Sequence, residues 1–293
     1  MSTESRTALG AASTQPVPAG ERHVYEPHRI GLPPLRVYAR EAWRRRQFAR
    51  EMSRTELRAQ HYDTALGQLW LLLNPLLLTL VYFILVDILR HGTRGPQFFA
   101  HLMVGLFAFQ FFSQAVQQGT KSVVGGGKLI LNTAFPRVLL PLSSVLSAFM
   151  RFLPTIAIYA VVHVATGLPI TPELLWAIPV FLLLAIFTTG FTMLLAALQV
   201  YFRDVSSFLP YVMRIWMYAS PVLYYLDEVP ERFRPIIDAN PLAPTLGAWS
   251  QVLTEGRAPG AGLLLWGLAW GVGAVAAGGL FFVAREREFA VRL

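Results

Sequence analysis

Apolar residues in this chain come in long unbroken runs separated by short polar links, rather than alternating with polar ones. The first run opens abruptly behind an arginine-rich stretch: from Leu69 to Leu89 the only strongly polar side chains are Asn74 and Asp87. About twenty helical residues rising about 1.5 Å each match a hydrocarbon core of about 30 Å. The pattern therefore predicts a first transmembrane helix at 66–89. Further runs at 98–116, 138–166, 174–200, 205–225 and 262–284 predict five more, the last rich in glycine and alanine, whose small size lets helix backbones approach closely. The expected fold is all-α, a polytopic membrane protein with six transmembrane helices in a domain spanning 66–293.

The polar stretches differ in kind. Residues 1–34 mix Ser, Thr, Ala and Gly with five prolines and hold no apolar core for a signal peptide, so they are expected to form a disordered tail. Residues 35–65 carry eight arginines, while Phe48, Met52, Thr55 and Ala59 recur at helical spacing. That pattern suits an amphipathic helix lying on a membrane with its arginines toward lipid phosphates, each worth roughly 1 kcal/mol near an anionic surface, or else a solvated helix that only sets orientation. The link 117–137 contains GGGK at 125–128, and 226–261 is proline-rich and too polar to cross unaided.

Composition and charge sharpen this. Of 293 residues 54% are apolar and 14% charged, too greasy for a soluble domain of this size. The net charge of +8 is carried by arginine, Lys121 and Lys128 being the only lysines. Beside apolar spans such charge favours lipid headgroups or phosphate over nucleic acid. With both termini placed in the cytoplasm, eighteen of the 25 basic residues fall on the inner side and five on the outer, leaving Arg151 and Arg214 within spans. The excess agrees with the positive-inside rule and predicts both ends cytoplasmic.

Several chemistries are excluded. Without cysteine there are no disulfides, thiolate metal sites or cysteine nucleophiles. GGGK is no phosphate-binding loop, because Ser122 stands where the first glycine should be and Leu129 where Ser or Thr is required. Any ATP and magnesium must then be bound by another chain. The six histidines form no metal-binding pair. A proton- or sodium-coupled carrier normally buries acidic or polar groups near the midplane, and Asp87, the one carboxylate within a predicted span, sits at its outer end. A membrane enzyme would need clustered carboxylates, whereas Asp204, Asp227, Glu228 and Glu231 fall on opposite sides.

Two intramembrane arginines remain. At a bilayer centre each costs about 2.5 to 3.5 kcal/mol, so Arg151 and Arg214 are expected to face a polar interior, water or a partner, either an anionic or hydroxyl-rich cargo or backbone carbonyls between helices. Aromatic residues collect at Phe107 to Phe112, and again at Tyr211, Trp216, Tyr218, Tyr224 and Tyr225. They suit an interfacial belt, or stacking on the C–H faces of sugar rings with hydroxyl and indole groups bonding sugar hydroxyls. Trp70, Phe107 and Phe111 join this second set as candidate channel residues.

Read in order, the chain resembles the membrane subunits of ATP-binding-cassette type-2 exporters for polysaccharides, the Wzm-like group that exports O-antigen, teichoic acid and mycobacterial-type galactan. The resemblance covers about residues 54–290. It is carried by Arg54, Thr64, Leu66, Gly67, Trp70 and Pro75; by Phe135-Pro136-Arg137 with Pro141-Leu142-Ser143; by Ser220-Pro221-Val222 with Tyr224; by Asn240-Pro241-Leu242 with Pro244; and by the ending at 285–290. It implies a homodimeric permease bound to two copies of a separate ATPase. The coupling helix against that ATPase would fall in 117–137, with Lys121, Lys128, Phe135, Pro136 and Arg137. Short re-entrant helices gating the outer exit would fall in 226–261. Arg54, Arg58, His61 and Tyr62 would flank the entry of a polyprenyl-pyrophosphate-linked glycan at the inner face of a bacterial plasma membrane. Two positions depart from the pattern: His61 replaces an expected tyrosine, with Tyr62 shifted by one, and Ser250 an expected arginine.

Overall fold

A computed structural model describes residues 34–59, 69–89, 91 and 95–293, so the expected tail, the entry to the first span, His61 and Tyr62 lie outside the described residues. The described helices belong to one unit, residues 32–293. Among the described residues all regular structure is helical, and five helical stretches are long and apolar enough to cross a bilayer.

Two amphipathic helices come first, α1 (Leu35–Arg44) and α2 (Arg46–Ala59), hinged at Arg45. In α2 the apolar side is short: Ala49 and Ser53 are buried, and the Ser53 hydroxyl lies 2.8 Å from the Ser143 carbonyl. Helix α3 (Trp70–Leu89) has twenty residues with Pro75 inside, and among its described side chains only Pro75 and Thr79 are buried. Helix α4 (Pro96–Gly125) runs thirty residues and is the buried centre of the bundle, with Phe107, Phe109, Phe111 and Phe112 all nearly inaccessible. It extends well past the expected end at 116. About 45 Å of helix exceeds any hydrocarbon core, and the last turns continue because Val116, Gly119 and Val123 still have partners to bury against.

Gly126 then ends the helix, and a single turn and a half, α5 (Gly127–Asn132), follows. The expected link 117–137 is thus half helix end, half short helix. Helix α6 (Leu139–Ala165) and helix α7 (Ala177–Tyr201) both pack along α4.

Helix α8 (Val205–Tyr218) corrects the fifth predicted span. It has fourteen residues, about 21 Å, and turns replace it beyond Tyr218. The physical reason is Pro221, which disfavours a helical conformation at Ser220 and cannot donate to the carbonyl four residues back. Apolar composition runs on past this break, which is why the hydrophobic pattern overshoots. Val205, Leu209, Met213 and Met217 form its buried stripe at four-residue spacing.

Residues 226–260 fold as short 3₁₀ turns, α9 (Arg234–Asp238), α10 (Ala243–Ser250) and a π-helical turn that ends on Gly256 at φ +62°. Every residue of α10 is buried, against α4, α7 and α11 (Ala261–Arg285). A last turn, α12 (Phe289–Arg292), closes the chain. Helices α7 and α11 pack backbone to backbone: a Cβ added at Gly278 would stand 2.0 Å from the Gly190 carbonyl oxygen. Apolar surface gains little by leaving lipid, so such close small-residue contact supplies the association.

Candidate functional site

The C-terminal ends of α4 and α7, the N-terminal end of α6 and helices α1, α2 and α12 meet at one end of the bundle, which carries most of the basic residues among those described. There Tyr38 donates to the Glu286 carboxylate, and Arg137 donates to the Glu286 carbonyl while its own N–H reaches the carboxylate at 3.3 Å. Burial raises the Glu286 carboxyl above the usual range, against the pull of Tyr38 and Arg137; burial first and Glu286 second raise the Tyr38 phenol. Of the expected coupling residues, Arg137 belongs to this knot, Phe135 packs on Phe48 of α2 with ring centroids 5.0 Å apart, Pro136 is buried, and Lys128 is exposed on α5. Arg45, at the α1–α2 hinge, donates to the Ala134 carbonyl. The knot and these contacts fasten 133–137 to the helices on either side.

Higher in the bundle a chamber of about 190 Å³ opens between α3, α4 and α6. At about 30 Å³ per water it has room for one ring-sized guest, not a folded chain. Trp70, Phe107, Phe111 and Phe152 supply aromatic walls, and Asn74, Gln110, Gln114 and Arg151 supply polar ones. The structure therefore brings together four residues picked out separately in the sequence: Trp70, Phe107, Phe111 and Arg151. Helix α4 places Gln110, Gln114 and Gln118 on one face at four-residue spacing, and the guanidinium of α6 lies against it.

Arg151 is the hub. It is 8% exposed, and its Nη2 donates to Gln118 Oε1 at 2.9 Å while Nη1 lies 3.5 Å from Gln114 Oε1. Its countercharge is Glu56 of α2, 4.0 Å from Nη2, whose other oxygen accepts from the Ser147 hydroxyl at 2.7 Å. The guanidinium Nε is buried with no hydrogen-bond partner among the described residues. Planar rings beside amides and a guanidinium with a spare donor form a surface suited to a hydroxyl-rich ring.

The remaining candidates lie elsewhere. Trp216 is enclosed by Phe112, Phe187 and Phe191, at centroid distances of 5.3 Å from Phe112 and 5.4 Å from Phe191. Arg214, Tyr211 and Tyr218 are exposed on α8, and the Tyr218 hydroxyl lies 3.2 Å from that of Tyr82 on α3. Arg214 thus lies outside the packed stripe of α8 and does not line the chamber with Arg151. Tyr224 packs at the far end beside Val229, Ile237 and Ala243, and the Tyr225 ring lies tilted against His101 with centroids 4.1 Å apart. Arg54 pairs with Glu51 at 3.2 Å, and Arg58 is exposed. Among the described residues no group of three His, Cys, Asp or Glu could hold a metal.

Glu56, Gln114, Gln118 and Phe152 went unremarked in the sequence. A signal for the glutamines existed, since Gln110, Gln114 and Gln118 recur every four residues along α4. None existed for Glu56, which reads as one charge among many.

The family profile described as ABC-2 type transporter matches residues 49–253. The O-antigen export system permease protein RfbA of Klebsiella pneumoniae is 30% identical over 202 residues, covering 69% of this chain and 78% of that protein. The protein of the same description from Myxococcus xanthus is 30% identical over 253 residues, covering 86% of this chain and 97% of its own length.

Proposed function

We propose, from the premise that the chain belongs to the ABC-2 type transporter family, that it is the membrane subunit of a polysaccharide exporter in a bacterial inner membrane. In this reading two copies pair, and two copies of a separate ATPase bind the basic end, which faces the cytoplasm. ATP turnover in those partners rocks the bundle through the knot at Tyr38, Arg137 and Glu286 and through 117–137. The cargo is a glycan on a polyprenyl pyrophosphate, of the galactan, O-antigen or teichoic acid class. The chain itself carries no catalytic group and needs no cofactor of its own.

The observation that carries the reading is the chamber around Arg151, where aromatic planes and amide groups share one intramembrane cavity. Three side-chain amides and a guanidinium lining one cavity suit a hydroxyl-rich cargo better than an apolar lipid or drug, because buried polar groups cost free energy unless they find partners. Similarity to two O-antigen export permeases across most of the chain supports the same cargo class.

Depletion of the protein in its native host tests this. Lipid-linked glycan should accumulate on the cytoplasmic leaflet, and affinity-purified protein should bring down an ATP-binding-cassette ATPase. Unchanged glycan export after depletion, or purification without an ATPase, would overturn the proposal.

A further inference from the structure

A second cavity, of about 690 Å³, lies between α2, α4 and α6 at the basic end. Its lining includes Thr55 and Glu56 from α2, Gln118 and Lys121 from α4, and Ser143 and Ser144 from α6. The chamber above it is lined by Gln114 and Arg151 of the same two helices α4 and α6. One side chain joins the two spaces. Arg151 lines the chamber, yet its guanidinium is held by Gln118 at 2.9 Å and faces Glu56 at 4.0 Å, both residues of the lower cavity.

We propose that the lower cavity is the mouth of the chamber and that the Glu56–Arg151 contact is the bolt between them, opened when α2 moves or when a polar guest competes for the guanidinium. Three features of the contact suit a bolt better than a permanent strut. At 4.0 Å it is longer than the roughly 2.7–2.9 Å of a direct charge-assisted hydrogen bond. Arg151 Nε is buried without a partner among the described residues, so the closed arrangement leaves a donor that an entering hydroxyl or anionic oxygen would satisfy. Glu56 sits one helical turn beyond Ser53, whose buried hydroxyl at 2.8 Å from the Ser143 carbonyl pins α2 to α6. A pivot at Ser53 lets Glu56 swing from Arg151 while α2 stays attached.

The guest class, a hydroxyl-rich chain with or without an anionic head, rests on the export reading; the bolt does not. The absence of cysteine makes every introduced thiol unique. Ala148, 1% exposed and lining the chamber, becomes the reporter as Ala148→Cys; Ala196→Cys, buried in a separate cluster, reports loss of fold. A membrane-impermeant charged methanethiosulfonate is applied to each face of membrane vesicles in turn. With Glu56 and Arg151 intact, Ala148→Cys should react slowly from both faces. Adding Glu56→Ala or Arg151→Ala should raise its rate at least tenfold from the face carrying α2 only, with Ala196→Cys still protected.

An unchanged rate, or acceleration from the opposite face, overturns the bolt whether or not the protein exports a glycan. If Ala196→Cys becomes reactive in the alanine variants, Glu56→Gln, which keeps the shape and removes the charge, is scored by the same two criteria. Glycan export unchanged by depletion of the protein, with the bolt behaviour intact, would strike the export reading alone.

Discussion

The Asn240 side-chain oxygen accepts a hydrogen bond from the Trp216 indole at 2.8 Å, and the same amide group donates to the Ala219 carbonyl at 2.9 Å and to the Ser220 hydroxyl at 3.0 Å. The oxygen also accepts from the Leu242 N–H at 3.0 Å. One buried amide thus ties the end of α8 to the start of α10. Where α8 stops short of a full crossing, this bonding replaces the missing helix turns for the chain around Ser220.

Asn240→Ala should therefore cost about 2 to 4 kcal/mol, since it strands several buried polar groups at about 1–3 kcal/mol for the worst of them. Thermal unfolding of the purified protein in detergent checks the magnitude. Limited proteolysis should then cut within 226–242 sooner than in the parent. An unchanged melting curve would mean that water already serves these groups.

The α7–α11 contact predicts a sharp contrast between two glycines of one helix. Gly278→Ala drives a Cβ into the Gly190 carbonyl, a backbone atom that cannot rotate away, so the helices must separate. Nothing lies within 4 Å of a Cβ at Gly273, where alanine should be neutral or stabilise by about 0.5 to 1 kcal/mol through helix propensity. Yields of folded protein by size-exclusion chromatography should fall several-fold for the first variant and hold for the second.

Much of this was legible in the residues. Unbroken apolar runs locate α3, α4, α6, α7 and α11, because a span needs only length and composition, and the structure keeps all five as stretches able to cross a bilayer. Those same properties are blind to what happened at α8, where a Ser220-Pro221 step ended the helix although the run stayed apolar. At the chamber, Trp70, Phe107, Phe111 and Arg151 stood out as single residues through their type and depth. Their convergence did not, since it depends on which faces of α3, α4 and α6 meet. Glu56 was the least legible, being 95 positions from Arg151 and on a helix whose other charges face outward.

Glu286 predicts a pH dependence with a definite sign. Its carboxyl is raised above the ordinary value in the folded chain, burial being the largest cause. The folded state then holds a proton that the unfolded state has released, so stability falls as pH rises from the ordinary carboxylate value through the raised one, and is flat above it. Every tenfold gain in the carboxyl's affinity for its proton on folding corresponds to about 1.4 kcal/mol lost across that window. Tyr38→Phe removes a hydroxyl that favours the ionised form and should widen this window. Glu286→Gln should abolish the slope while leaving the Arg137 bond to the residue 286 carbonyl in place. Melting temperatures across the mildly acidic range measure both.

The chamber predicts which aromatic deletion matters for transport. Trp70 lines it, and Trp70→Ala would remove an aromatic plane from a wall shared with Asn74 and Arg151. Leu265 on α11 is 67% exposed and does not line the chamber, so Leu265→Ala provides a matched truncation on an outward face. Stacking against one ring contributes about 0.5–1.5 kcal/mol beyond its area, which corresponds to roughly 2- to 12-fold in a rate that depends on it. Glycan export by Trp70→Ala should fall by about that factor at equal abundance in the membrane, whereas Leu265→Ala should match the parent. Because both variants delete an apolar side chain from a helix face, a loss shared equally by the two would point to weakened insertion and not to the chamber. A loss confined to Trp70→Ala, and deepened by Phe111→Ala on the facing wall, would locate the sugar path between α3 and α4.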